Sequence, residues 1–324
     1  MKISITATLL VGAFALPAMA QDSRTLRLGM QGTIGDPQYQ GVEEAARLIS
    51  ERTEGRLTLE VFPNSQLGTF TEMMEQVTVG DLDLTLNPFG GMDPWVPRAV
   101  IASTAYVVQD FDHLQNIIAS DWGQEVVAEF AEVGNWHVVD SWYFGTRQTT
   151  GNRGIESLED FQGFRLRVPN SAPLLAWAEA MGASPTPVAF AEVYLALQTN
   201  QVDGQENPLP TIDSMKFMEV QSDLSLTNHV VQDQLILMST DTWESLSPED
   251  QQIVQEAFEA GGEVNNGIVT SREEELVAQF EAAGANIHRP DTAPFREAMA
   301  GIYAEMDAAH GEGTIEQLSS LAEN

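Results

Sequence analysis

The sequence predicts an α/β protein built as two lobes. Segments of strand period alternate with segments of helix period from the start of the mature chain. The chain has 324 residues, and chains above roughly 250–300 residues usually divide into two cores. Cysteine is absent, so the fold must hold by core burial without disulfide staples.

Residues 1–20 come first and stand apart. Lys2 gives a short positive start, an apolar run follows to Leu16, and Ala18-Met19-Ala20 is a small-x-small cleavage site. This predicts a secretory signal, too short to span a bilayer of roughly 20 apolar residues. With no cysteine to lipidate, the mature protein is expected free in the Gram-negative periplasm.

Leu26, Leu28 and Met30 alternate with polar neighbours and predict a strand. Val42, Ala45, Ala46 and Ile49 mark a helix that ends near 53–55. Leu57, Leu59 and Val61 form a second strand, stopped by Pro63. A helix from about Thr69 to Val79 ends at Gly80, and Leu82, Leu84 and Leu86 lead a third strand to Asn87-Pro88. Strand–helix–strand–helix–strand at this spacing is a parallel α/β unit whose functional edge lies where strands give way to helices. A comparable unit follows, with strands at 136–143 and 164–168, helices at 173–181 and 190–199, and a further strand at 230–238. Ser247-Pro248-Glu249-Asp250 is a strong helix start. That helix continues to about Gly284, spans both lobes, and has Gly261-Gly262 as its candidate bend. The expected boundaries are 21–144 plus 233–272 for the first lobe and 145–232 plus 273–324 for the second.

Acidic residues outnumber basic ones 48 to 15, a net charge of −33. Nucleic acid and anionic membrane are poor partners for such a surface. Between 145 and 170 the balance reverses: Arg147, Arg153, Arg165 and Arg167 face three acids, which makes this segment a candidate anion site. The sequence has no G-x-S-x-G, G-x-G-x-x-G, P-loop or H-E-x-x-H pattern, and its five histidines lack metal-ligand spacing. No catalytic residue, metal or cofactor is expected.

One stretch carries a specific pattern. It contains Gly-Thr-Arg-Gln-Thr-Thr at 145–150, Arg-Leu-Arg-Val-Pro-Asn at 165–170, Gly-Ala-Ser-Pro-Thr-Pro at 182–187, Phe-Ala-Glu-Val-Tyr-Leu-Ala-Leu-Gln-Thr at 190–199, Val-Asp-Gly-Gln-Glu-Asn-Pro at 202–208 and Leu-Thr-Asn-His at 226–229. A guanidinium offers a planar fork that matches a carboxylate, and Pro169 stiffens the strand end beside Arg167. Arg165 and Arg153 are assigned structural roles. In order and spacing these motifs resemble the substrate-binding proteins of TRAP (tripartite ATP-independent periplasmic) transporters. Ser65-Gln66-Leu67-Gly68 extends the match.

The resemblance implies a two-lobed periplasmic binding protein that acts as a monomer. Its partners would be a small organic acid and the small and large membrane subunits of the transporter. It also implies that Arg167 makes the principal salt bridge to the ligand carboxylate, with Arg147 and Asn207 completing its hydrogen bonds. Phe190 would pack on the ligand, while Asn170, Glu206 and His229 line or support the cleft.

The motifs at 145–150 and 165–199 look most like the sialic-acid members. Gln31, Thr69 and Asn87 depart from them at positions that reach the far end of the ligand. Neutral groups there suit a polyol, so a hexuronate or related sugar acid is the first expectation. Sialic acid is the second and a C4-dicarboxylate or hydroxy acid the third. An enzyme using Glu206 and His229 as acid and base, and a sensor module, remain competing classes. Trp95, Trp142 and Trp177 are candidates for a sugar-stacking surface, though buried tryptophans more often serve the core.

Overall fold

Parallel strands linked by helices begin the chain. The computed structural model describes residues 23–323; the signal expected over 1–20 lies outside them. The first unit is β1 (Arg24–Gly29), α1 (Pro37–Arg52), β2 (Leu57–Phe62), α2 (Phe70–Val79) and β3 (Leu84–Asn87). Helices α3 (Phe111–Ala119) and α4 (Asp121–Gly134) lead to β4 (Trp136–Gly151). The second unit comprises α5 (Leu158–Phe161), β5 (Arg165–Val168), α6 (Ala172–Ala180), β6 (Ser184–Pro187), α7 (Val193–Gln198), β7 (Gly204–Pro208), α8 (Leu209–Ser214) and β8 (Asp223–Ser225). The chain returns through β9 (Val231–Ser239), α9 (Thr240–Ser245), α10 (Pro248–Ala282) and β10 (Asn286–His288). It closes with α11 (Ala293–Ala298), α12 (Ala300–His310) and α13 (Thr314–Ser319).

The strands run in the order β2-β1-β3-β9-β4-β7-β5-β6, with β8 on β4 and β10 on β8. As the spacing required, β1 pairs in parallel with β2 and β3. β9 is antiparallel to both β3 and β4. Its residues alternate between two cores: Leu235 and Leu237 join Met73 and Phe130, while Ile236 and Met238 join Leu26, Val42 and Phe258. The second half buries its own clusters, one around Phe161, Leu166 and Trp177 and one around Leu197, Leu209 and Phe217. Two lobes therefore share one hydrogen-bonded strand path.

β4 extends well past the expected end at Tyr143. Residues 136–146 pair with β9, and residues 147–151 pair with β7 in the other half. The register slips between Tyr143 and Gly145, and Gly145 has φ 127°, so the strand period is broken where the strand crosses over. Side chains of α10 hold that crossing. Glu273 accepts from the Thr146 N–H at 2.6 Å and from the Tyr143 hydroxyl at 2.8 Å. Asn266 accepts from the Tyr143 N–H at 2.8 Å.

α10 is the long helix the sequence predicted, 35 residues packed against α1, β4, α8 and β10. It runs unbroken through Gly261-Gly262, so these glycines are not a break. They serve close packing instead. A Cβ on Gly261 would stand 2.5 Å from the Gly41 carbonyl oxygen, and one on Gly262 would stand 2.8 Å from the Trp142 ring.

Candidate functional site

Both halves line a cavity of about 1080 Å³, counting the volume open at its mouth. Strand ends and the loops after them form its walls, which is where α/β sheets place their ligands.

One wall is built on β4, β5 and β7. Arg147 is buried and its fork is largely committed. Nε and Nη2 donate to the two carboxylate oxygens of Glu206, the Nη2 bond measuring 2.8 Å. Nη2 also donates to the Glu206 carbonyl at 2.9 Å and to Asn207 Oδ1 at 3.2 Å, and Nη1 donates to Gln232 Oε1 at 2.7 Å. Burial alone would push the Glu206 carboxyl up. The Arg147 charge and hydrogen bonds from His229 and Arg147 outweigh it and hold the pKa at about 2. Glu206 is therefore ionised and accepts only, so the proton it meets at 3.0 Å sits on His229 Nε2. His229 Nδ1 then accepts from the Thr227 hydroxyl at 3.0 Å. Burial lowers the His229 pKa and keeps the ring neutral, stacked on Trp177 at 3.8 Å.

Arg167 differs. Its Nε and Nη2 both donate to one carbonyl, that of Val188, at 3.0 and 2.7 Å. Among the described residues it meets no carboxylate within salt-bridge distance. Burial, aided by the Arg147 charge, brings its pKa down to about 10, with Glu206 opposing. It stays cationic at neutral pH. Since Arg147 and Glu206 cancel, Arg167 carries the net positive charge of this wall. A buried charge without a counter-ion is costly, and such groups in clefts mark functional sites.

The other wall comes from the loop before α1, the start of α1, β9, and the loop after β3. It presents Gln31, Gln38, Asn87, Asp93 and Gln234, with Phe70 and Trp95 as apolar surface. Asn87 is 2% exposed and donates to the Gly91 carbonyl at 3.4 Å. The loop that follows is pinned by Asp233, whose Oδ1 accepts from the Phe89 N–H at 3.1 Å. Asp36 ties this wall to the other half, accepting from the Ser214 hydroxyl of α8 and, at 2.6 Å, from the Thr33 N–H.

The structure brings Arg167, Arg147, Asn207, Phe190, Asn170, Gln31 and Asn87 to the cavity. Glu206 and His229, both 0% exposed, lie behind the wall and brace Arg147. Thr69, expected at the far end of the ligand, instead caps α2 in a capping box with Glu72. Its neighbours Phe70 and Thr71 reach the cavity. Of the tryptophans only Trp95 lines it; Trp142 and Trp177 are 0% exposed in the core. Arg165 pairs with Asp203 at 2.5 Å and Arg153 lies over Phe164, both structural as expected. Sequence reasoning missed Gln38, Asp93 and Gln234. A signal existed only for the last, because Gln232 and Gln234 are amides inside a wholly buried strand.

Residues 28–309 match the profile of the bacterial extracellular solute-binding proteins of family 7, DctP. The chain is 44% identical to the sialic acid-binding periplasmic protein SiaP of Vibrio cholerae, across 99% of this chain and 100% of that one. It is 30% identical to the 2,3-diketo-L-gulonate-binding periplasmic protein YiaO of Escherichia coli, across 86% and 84%. A TRAP periplasmic solute-binding protein of Roseobacter denitrificans, solved with bound β-D-glucuronate, superposes with a TM-score of 0.85. It is 29% identical, over 92% of this chain and 98% of that one. The family is one of non-enzymatic solute-binding proteins, which sets aside the acid–base reading of Glu206 and His229. The chain belongs to the family 7 (DctP) extracellular solute-binding proteins, as a non-enzymatic TRAP solute-binding protein of the periplasm that takes a carboxylate ligand.

Proposed function

We propose that this protein captures sialic acid in the periplasm and delivers it, as a monomer, to the small and large membrane subunits of a TRAP transporter. The observation that carries this reading is the 44% identity to the Vibrio cholerae sialic acid-binding protein over essentially the full length. Relatives named for a sugar acid, such as the 2,3-diketo-L-gulonate-binding protein, stand at 30%. That difference moves sialic acid ahead of the hexuronate first expected.

In this account Arg167 pairs bidentately with the ligand carboxylate, since no described residue accepts from its Nη1 or supplies it a carboxylate. Arg147 and Asn207 add hydrogen bonds, and Phe190 packs on the sugar ring. Asn170, Gln31 and Asn87 meet its hydroxyls. Glu206 and His229 hold Arg147 in place. A ligand touching both lobes favours the closed form. Moving a mostly open ensemble to mostly closed takes about 5.5 kcal/mol of differential affinity.

A hexuronate is the second reading, favoured by the neutral amides Gln31 and Asn87 on the wall opposite the arginines. A thermal-shift panel of N-acetylneuraminate, glucuronate, galacturonate and succinate separates the two. A micromolar ligand at millimolar concentration stabilises by about 4 kcal/mol. N-acetylneuraminate is expected to give the largest shift. Glucuronate leading would install the second reading, and succinate alone would remove both.

A further inference from the structure

Two buried polar groups on the wall facing the arginines have no hydrogen-bond partner among the described residues, and a carboxylate there meets only its own backbone. Gln38 Nε2, on a side chain 6% exposed, and Gln234 Oε1, on one 2% exposed, are buried without a hydrogen bond among the described residues. Both residues line the cavity, and so does Asp93, whose carboxylate bonds to no other described residue. Asp93 ends the turn Phe89–Met92 and precedes Pro94, so the backbone around it is stiff. A buried donor or acceptor left unpaired costs free energy, so this wall is complementary to a solute that brings its own donors and acceptors.

Charge sharpens the point. The arginine wall carries one uncompensated positive charge, on Arg167, and the facing wall holds two carboxylates: Asp36, engaged by Ser214 and the Thr33 N–H, and Asp93, which no other described residue engages. A single carboxylate held at Arg167 leaves the solute's remote end beside Asp93. A hydroxyl or amide N–H there donates to that carboxylate, whereas a second carboxylate is repelled by it and finds no cation on this wall.

We propose that Asp93 determines specificity at this site: with Gln38 and Gln234 it accepts an uncharged, donor-bearing remote end and rejects solutes that carry a second carboxylate. The proposal deepens the sugar-acid reading and rests on it for the choice of solutes.

Calorimetric titrations of the mature protein and its Asp93→Asn variant with N-acetylneuraminate, glucuronate and glucarate test it. Glucarate is the dicarboxylate of the same carbon count as glucuronate. The wild type is expected to bind glucuronate at least tenfold more tightly than glucarate. The variant should melt within a few degrees of the wild type and bind N-acetylneuraminate at least tenfold more weakly. Its glucuronate-to-glucarate ratio should fall at least fivefold. An unchanged ratio in the variant, or no discrimination by the wild type, overturns the role of Asp93. A wild type that ignores N-acetylneuraminate yet separates glucuronate from glucarate, with the separation lost in Asp93→Asn, supports Asp93 while removing the sialic acid reading.

Discussion

The two walls of the cavity are made on opposite principles. On the arginine wall nearly every polar group is satisfied inside the protein: Arg147 by Glu206, Gln232 and Asn207, and Glu206 in turn by His229, which leans on Trp177. On the facing wall Gln38 and Gln234 are buried with polar atoms unpaired. A saturated network fixes geometry before any solute arrives, and an unsaturated one is completed by the solute. The first anchors a carboxylate common to many sugar acids. The second decides which of them fits.

The largest effect should follow from breaking the saturated wall. Glu206→Ala leaves Arg147 buried without its counter-ion, and losing one partner of a buried pair costs about 3–5 kcal/mol. Urea unfolding at pH 7 reads this directly, and a loss under 1 kcal/mol would show that the wall is not held by the pair. The sign with pH follows from the carboxyl's pKa, lowered from 4.5 to about 2 on folding. Its stabilisation is present above about 4.5 and disappears as the pH falls toward 2. The gap between wild type and variant should therefore narrow through that window.

The same kind of change on the facing wall should behave differently. Gln38→Met keeps the volume and removes an unpaired donor, so stability should hold or rise by up to about 1–3 kcal/mol. Affinity for N-acetylneuraminate should drop severalfold in the same variant. A clear destabilisation would mean that Gln38 has a protein partner after all and that the contrast between the walls is false.

This contrast also explains what the sequence revealed. The arginine wall was legible because Arg147, Arg167, Glu206, Asn207 and His229 sit in tight local motifs, and guanidinium–carboxylate chemistry needs those residue types. The parallel unit at 24–87 was legible because its apolar periods are clean. The crossing of β4 was not, since Gly145 and the bulge beside it interrupt the strand period and the holding groups, Asn266 and Glu273, come from a helix more than a hundred residues away. Thr69 was misplaced although Thr69-Phe70-Thr71-Glu72 spells a helix cap. The facing wall assembles from a helix start, a buried strand and a loop, and an unpaired amide is a property of surroundings that no local pattern encodes.

Everything turns on Arg167 as the buried cation that meets no carboxylate among the described residues and grips that of the solute. Calorimetry of Arg167→Ala with N-acetylneuraminate and glucuronate tests that most directly. The variant removes a charge without a counter-ion, so it should fold as well as the wild type. It should bind at least tenfold more weakly, a loss of about 1.4 kcal/mol or more. A folded variant with undiminished affinity for the solute the wild type binds would contradict the account.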